Sequence, residues 1–95
     1  MARIVLSGAL DHYNAESLKQ QLLAAMTEPE KGHPQLILDM QDVEHIDAAA
    51  LQVLLACQAG LKPEKLAVQG ADPSIRQWIR ISGAEAFFDF LEMNN

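Results

Sequence analysis

Three aspartates stand where predicted strands and turns end, and carboxylates grouped at one sheet edge can hold a cation or position a phosphate acceptor. They are Asp11, Asp39 and Asp47. Aspartates at such places also cap helices and accept hydrogen bonds from turn amides, and this use is common in proteins without catalysis. We therefore interpret Asp47 as the N-cap of the helix that follows it and the other two as turn-stabilising residues.

The other residues with metal-binding or nucleophilic chemistry are scattered. His12, His33 and His45 show no H-x-x-x-H spacing, and a single cysteine cannot form a C-x-x-C pair, so no metal site is predicted. Cys57 has apolar neighbours and no nearby basic residue to lower its pKa, which predicts a core position. Because there is also no nucleophile–base pair and no glycine-rich phosphate-binding loop, the sequence predicts no catalytic residues and no cofactor.

Length and charge narrow the classes of function further. The 95 residues are predicted to form one domain over residues 1–95. The net charge of -6 argues against nucleic acid or an anionic membrane surface as a partner. No apolar run reaches the length of a membrane span, and the first residues do not resemble a signal peptide. With one cysteine and hence no internal disulfide, a cytoplasmic location is expected.

The stretch from residue 36 to residue 60 is predicted to organise the fold. An apolar β-type run begins at residues 36–38 and breaks at a polar turn over residues 41–42. Asp47 then precedes a largely apolar helix predicted over residues 48–59, with Gly60 as its C-terminal stop. This arrangement brings a helix N-terminus to the carboxyl end of a central strand, the edge at which open α/β sheets meet partners and ligands.

Strands and helices alternate along the rest of the chain. Strands are predicted over residues 3–7 and 65–69, a helix is predicted to start after Asn14, and another is predicted to start at Asp72. The segment 86–91 is aromatic and fits either an edge strand or a short closing helix. The buried face of the helix after Asp72 is predicted to be Ile75, Trp78, Ile79 and Ile81.

Several motifs resemble those of STAS domains, a family that includes the bacterial anti-sigma factor antagonists. Leu38-Asp39-Met40, Ile46-Asp47 and Val53-Leu54-Leu55 occur in the family's order and spacing, and Gly8-Ala9-Leu10-Asp11 resembles its motif at the end of an early strand. The resemblance covers nearly the whole chain. It implies an α/β, STAS-like fold, a mixed four-stranded sheet with helices packed mainly on one face.

The family usually has one further N-terminal strand, and this chain is expected to begin too late to supply it. The sequence leaves open whether the resulting sheet edge pairs two copies in a homodimer.

The resemblance also implies a protein-docking surface around the loop before the central helix. In anti-sigma factor antagonists the two residues after the loop aspartate are usually Ser or Thr, and a partner kinase phosphorylates the second. Here they are Ala48 and Ala49, so the position equivalent to the phosphosite, Ala49, has no oxygen to accept a phosphoryl group. The implied partner-binding residues are Asp11, Asp42, Glu44, His45, Asp47, Ala48, Ala49, Ala50 and Gln52.

Two classes of function follow from the resemblance. The first is a non-enzymatic protein-interaction module of bacterial signalling, either an anti-sigma factor antagonist or a stand-alone STAS protein of a chemotaxis gene cluster. Its partner would be an anti-sigma serine kinase or another signalling protein. The second is a small STAS subunit that braces the ATPase of an ABC-type lipid transporter. Such subunits typically carry a threonine at the position of Ala48, and this departure counts against the second class.

Overall fold

A computed structural model of the chain describes residues 2–26, 36–61 and 65–91. The loop predicted over residues 27–34 lies outside them. None of the described helices combines the length and the hydropathy that a membrane crossing requires. In chain order the elements are β1 (Ala2–Leu10), α1 (Ala15–Met26), β2 (Leu36–Ile46), α2 (Ala48–Leu61), β3 (Leu66–Gln69), α3 (Pro73–Ile81), a 3₁₀ turn (Glu85–Phe87) and β4 (Phe88–Leu91).

The four described strands form one sheet in the order β1-β2-β3-β4, and every neighbouring pair is parallel. The prediction of a mixed sheet is therefore wrong for these strands. The reason is connectivity, because a helix follows each of β1, β2 and β3 and returns the chain to run in the same direction. Right-handed crossovers that always step to the next strand place the three helices on one face of the sheet, as predicted.

Side chains alternate between the two faces of the sheet. In β1, Leu6 is buried toward the helices, whereas Arg3 and Val5 lie on the opposite, open face and Val5 is 60% exposed. Side chains from all three helices contribute to the core between the sheet and the helices, so each helix packs against the strands. Its largest fully buried side chains are Leu22, Leu38, Met40, Leu54, Leu66, Val68 and Ile79.

Strand β2 is unbroken, so the turn predicted over residues 41–42 is wrong. Its pairing with β1 shifts register twice, and each shift adds one residue to β2, as β-bulges do. The added residues widen the spacing of core-facing side chains from two to three. Met40, Val43 and Ile46 are consequently all buried although they belong to one strand.

Strand β1 also continues beyond its predicted end. The strand was predicted over residues 3–7, but residues 8–10 also belong to β1. Gly8 has a φ of 71°, in the left-handed region that glycine adopts without the steric penalty of a Cβ atom. The strand therefore bends at Gly8 while it remains paired with β2.

The central helix begins after Asp47 as predicted, but it continues through Gly60 to Leu61. The predicted stop at Gly60 is therefore wrong, and the glycine has a different structural role. A Cβ atom at Gly60 would lie 2.8 Å from Cε of Met26, well inside van der Waals contact. Glycine thus leaves room for the end of the Met26 side chain against α2.

The last helix starts where it was predicted. The Asp72 carboxylate accepts a hydrogen bond from the Ser74 backbone N–H at 2.9 Å, and Pro73 occupies the first helical position. Ile75 and Ile79 are buried as predicted, but Ile81 is 74% exposed. Two residues advance a helix by more than half a turn, so Ile81 lies away from the core-facing side of α3. The aromatic segment combines both predicted alternatives, because the 3₁₀ turn leads into β4.

Candidate functional site

The carboxyl ends of β1 and β2 lie side by side and bring two loops together. Leu10 pairs with Ile46, and the backbone N–H of Asp47 donates a hydrogen bond to the Leu10 carbonyl at 3.0 Å. The turn that follows β1 therefore contacts the residue that opens α2. This edge is where the sequence predicted the docking surface.

Asp47 links these two loops through its side chain. One carboxylate oxygen accepts a hydrogen bond from the Ala50 backbone N–H at 3.0 Å, which confirms the predicted helix cap. The other accepts the backbone N–H of His12 at 2.9 Å and lies 3.4 Å from His12 Nδ1. These contacts, that from Ala50 first and those from His12 after it, hold the pKa of Asp47 below its ordinary value. The carboxylate is therefore ionised at neutral pH.

Asp11 stabilises a turn, as interpreted from the sequence, whereas Asp39 lies within strand β2 and not in a turn. An Asp11 carboxylate oxygen accepts the backbone N–H groups of Tyr13 and Asn14 at 3.1 and 3.2 Å. Asp39 lies 2.5 Å from the Arg3 guanidinium and accepts the Gln41 N–H at the first bulge of β2. The guanidinium, followed by that N–H, lowers the pKa of Asp39.

The three aspartates do not form one cluster. Asp39 lies within the paired part of β2, opposite Val5, whereas Asp11 and Asp47 follow the strand ends. Over residues 2–26, 36–61 and 65–91, no group of three potential ligands is close enough to hold a metal ion. The carboxylates of Asp11 and Asp47 thus accept hydrogen bonds from backbone N–H groups of the loops, and that of Asp39 accepts one within β2.

The residues predicted to bind a partner differ in their accessibility. Asp11, Asp47 and Ala49 are half-buried, and Ala50 is fully buried beneath the first turn of α2. Because its side chain is 0% exposed, Ala50 does not belong to the accessible surface on which the sequence analysis placed it. The exposed members of the set are Asp42, Glu44, His45, Ala48 and Gln52.

His12 and Tyr13 were not included in the predicted surface, although the structure brings them to it. Their rings are in contact with a centroid distance of 4.0 Å, and Tyr13 is 83% exposed. Sequence reasoning considered His12 only as a metal ligand. The signal that it missed is that residues after neighbouring parallel strands share one edge of the sheet, so the residues after Asp11 must lie near Asp47.

An apolar cleft of about 500 Å³ lies between α1 and α2 and reaches Ala49 in the first turn of α2. Cys57 contributes to the lining of this cleft. Burial raises the pKa of its thiol to about 11, and its sulfur lies 3.4 Å from the Met26 sulfur, so it is a packed core residue, as predicted. The other residues lining the cleft include Leu23, Met26, Ala49, Gln52, Val53 and Ala56.

Comparison with protein families gives this geometry a context. The family model described as "Mlab, STAS domain" matches residues 1–92. The chain belongs to the STAS domain family. This confirms the resemblance that the strand-end motifs and the loop before α2 suggested.

Solved STAS-like structures share the fold at low sequence identity. The unphosphorylated anti-sigma factor antagonist SpoIIAA is 17% identical with a TM-score of 0.73, and the match covers 95% of this chain and 78% of that one. A sulfate transporter family protein from Wolinella succinogenes is 18% identical with a TM-score of 0.70, over 94% of this chain and 75% of that one. A DUF3478-family protein with a SpoIIAA-like fold from Shewanella loihica PV-4 is 17% identical with a TM-score of 0.58, over 97% and 76%. These similarities show that the STAS domain has the SpoIIAA-like fold.

Proposed function

We propose that this STAS domain is a non-catalytic protein-interaction module of bacterial signalling, similar in role to an anti-sigma factor antagonist, and that it docks its partner around Asp47. The observation that carries the proposal is the double engagement of the Asp47 carboxylate, which fixes both the turn after β1 and the N-terminus of α2. A surface held in place before binding loses less conformational entropy when a partner docks.

The chemistry of this surface suits a permanent docking role better than a switched one. At its centre, Ala48 is exposed and Ala49 is half-buried, and neither side chain can accept a phosphoryl group. A phosphate would add about two negative charges at neutral pH, and these alanines exclude that change. The proposed module is therefore always in its unmodified, binding-competent form at this loop.

The charge distribution suggests what the partner surface should be like. Asp42 and Glu44 are exposed on β2, the strand that leads to Ala48 and Ala49. Interfaces commonly have an apolar core and a polar rim, and complementary charge favours correct association. The partner is accordingly expected to present a small apolar surface flanked by cationic side chains.

The cleft between α1 and α2 gives the docking surface additional depth. Ala49 and Gln52 in the first turns of α2 line the cleft, and Leu23 on its wall is 45% exposed. A cleft of about 500 Å³ has room for one or two large apolar side chains of a partner. Insertion of a side chain there would bury apolar surface that is otherwise in contact with water.

Affinity purification of the tagged chain from its own cells tests the proposal. The unmodified chain should recover a signalling protein, and Ala49→Asp should recover much less of it. Ala59→Asp is the control, because Ala59 is another alanine of α2, is exposed, and lies ten residues, or about 15 Å, along the helix. That control should bind as well as the unmodified chain.

Two results would count against the proposal. Equal recovery with all three chains would remove the loop from the interface. Recovery of a transporter ATPase without any signalling protein would instead favour the role of an ABC-transporter subunit.

A further inference from the structure

Strand β1 presents a long outer edge of the sheet. It has nine residues, and of the described strands only β2 pairs with it. The opposite edge strand, β4, has four residues and carries the exposed Asp89. Short edge strands and exposed charges discourage further strand pairing, whereas a long edge without them favours it.

The outer edge of β1 lacks a free charge that would discourage pairing. Its only charged side chain is Arg3, and the guanidinium of Arg3 is engaged with Asp39 on the neighbouring strand. Val5, in the same strand, has 60% of its surface exposed. A large apolar side chain exposed on a long edge strand is stabilised when another strand covers it.

The stretch available for pairing has defined limits. At its C-terminal side, Gly8 bends the strand with a φ of 71°, and the Asn14 amide donates a hydrogen bond to the Ala9 carbonyl at 2.9 Å. The part of the strand from Arg3 to Ser7 remains. An open groove of about 330 Å³ lies between α1 and residues 5–10 of β1, so α1 does not fill the space beside the second half of this stretch.

The sequence of this stretch identifies its occupant. Residues 3–7 read Arg-Ile-Val-Leu-Ser, which is polar, apolar, apolar, apolar, polar, and this pattern is the same in both directions about Val5. An antiparallel second copy centred on Val5 therefore places apolar residues opposite apolar residues and Arg3 opposite Ser7. Two-fold symmetry requires this kind of self-complementarity.

We propose that two copies of the chain associate through antiparallel pairing of their β1 strands, with Val5 opposite Val5 at the two-fold axis. The two four-stranded sheets then form one continuous sheet of eight strands. The two Val5 side chains pack against each other on the open face of that sheet, so each shields part of the other from water. This interface is separate from the docking loop, so the inference stands independently of the proposed function.

The molar mass in solution, measured by light scattering during size-exclusion chromatography, tests the pairing. The unmodified chain should have twice its 10.5 kDa mass, and Val5→Lys should return it to the monomer because two ammonium groups would face each other at the axis. Ile81→Lys is the control, since Ile81, on α3, is also an exposed β-branched apolar residue. This variant should remain dimeric. A monomeric unmodified chain at the highest attainable concentration, or a dimeric Val5→Lys chain, would overturn the proposal.

Oxidative cross-linking tests the register even if Val5→Lys folds poorly. Val5→Cys should form an intermolecular disulfide rapidly, because directly opposed residues bring their Cβ atoms to disulfide distance. In the same register, Ser7→Cys places the two thiols about 13 Å apart along the strands, so it should cross-link at least tenfold more slowly. Native Cys57 is buried and serves as the background. Equal rates for the two variants would contradict the register and with it the proposed pairing.

Discussion

Replacing Gly70 by alanine should reveal how the bulged part of β2 is held in place. Gly70 follows β3 with a φ of 75°, and a Cβ atom there would lie 3.2 Å from Cβ of Gln41 and 3.4 Å from its backbone N and Cα. Gln41 stands at the first bulge of β2, where its N–H is bound by Asp39. Gly83 offers a matched control, since its φ is 81° and no atom lies within 4 Å of the position of an added Cβ.

The size of each effect can be estimated from these two geometries. An alanine in the left-handed region costs about 1–2 kcal/mol, and the reduced entropy of the unfolded chain returns about 0.4–1 kcal/mol. Gly83→Ala should therefore lower the free energy of unfolding by about 1 kcal/mol. Gly70→Ala adds a tight 3.2 Å contact with Cβ of Gln41, an atom whose position is fixed by the backbone, and overpacking of this kind costs about 1 kcal/mol or more, for a total of about 2 kcal/mol.

Urea unfolding of both variants and the unmodified chain measures the difference. A loss of about 1 kcal/mol corresponds to a decrease in Tm of about 4–8 °C for a chain of this size, so thermal unfolding provides a second readout. The slope of the urea transition should be unchanged, which shows that the surface exposed on unfolding is unchanged. Equal destabilisation by the two substitutions would refute the claim that Gly70 packs against the bulge.

Three further predictions concern acid stability, thiol reactivity and helix packing. The pKa values of Asp39, Asp47 and Asp72 are lowered from 3.8 in the folded chain, so their contribution to stability is complete above about pH 4 and is lost as the pH falls through the folded pKa values. The Tm measured between about pH 2 and pH 6 should therefore fall at the acid end, and a flat profile would contradict this. Cys57, with a pKa of about 11, should react with a thiol reagent at pH 8 only after urea unfolds the chain, and rapid reaction of the folded chain would be the contrary result. Gly60→Ala should stabilise the chain more when Met26 is also alanine, because the 2.8 Å contact with Met26 is then absent. A double-mutant cycle in urea in which Gly60→Ala changed the free energy of unfolding equally in both backgrounds would argue against this contact.

Local signals in the sequence were sufficient to locate the starts of two helices. Asp47 and Asp72 accept hydrogen bonds from backbone N–H groups two or three residues ahead, and that chemistry depends only on nearby residues. The alternation of helices and strands was equally readable, because each apolar stripe has the period of its own element. These local features placed the loop before α2 at the carboxyl end of β2, where the structure has it.

The bulges in β2 could not be recognised from the apolar period alone. Met40, Val43 and Ile46 recur every third residue, whereas an unbroken strand has a period of two, and the polar residues 41–42 were interpreted as a turn. The extra residues are accommodated only because β1 pairs alongside and Asp39 accepts the N–H of Gln41. Both contacts are set by the folded chain.

Contacts distant in sequence explain the other differences. Gly60 resembles a helix stop, yet its neighbour in space is Met26, thirty-four residues earlier. His12 and Tyr13 join the candidate site because β1 and β2 are parallel neighbours that end together. The parallel sheet itself follows from how the helices connect the strands, which the family resemblance alone did not specify.

The central claim is that a small uncharged tip at the start of α2 is buried when the partner docks. The most direct test compares the Kd of the recovered partner for Ala49→Asp and for Ala49→Asn, which have nearly the same size and differ in charge. An aspartate in the first turn is favoured by the helix dipole, so loss of binding would not reflect loss of folding. Because an unpaired carboxylate is costly to bury, Ala49→Asp should weaken binding at least about tenfold more than Ala49→Asn, equivalent to about 1.4 kcal/mol. Equal Kd values for these two variants and the unmodified chain would contradict the account.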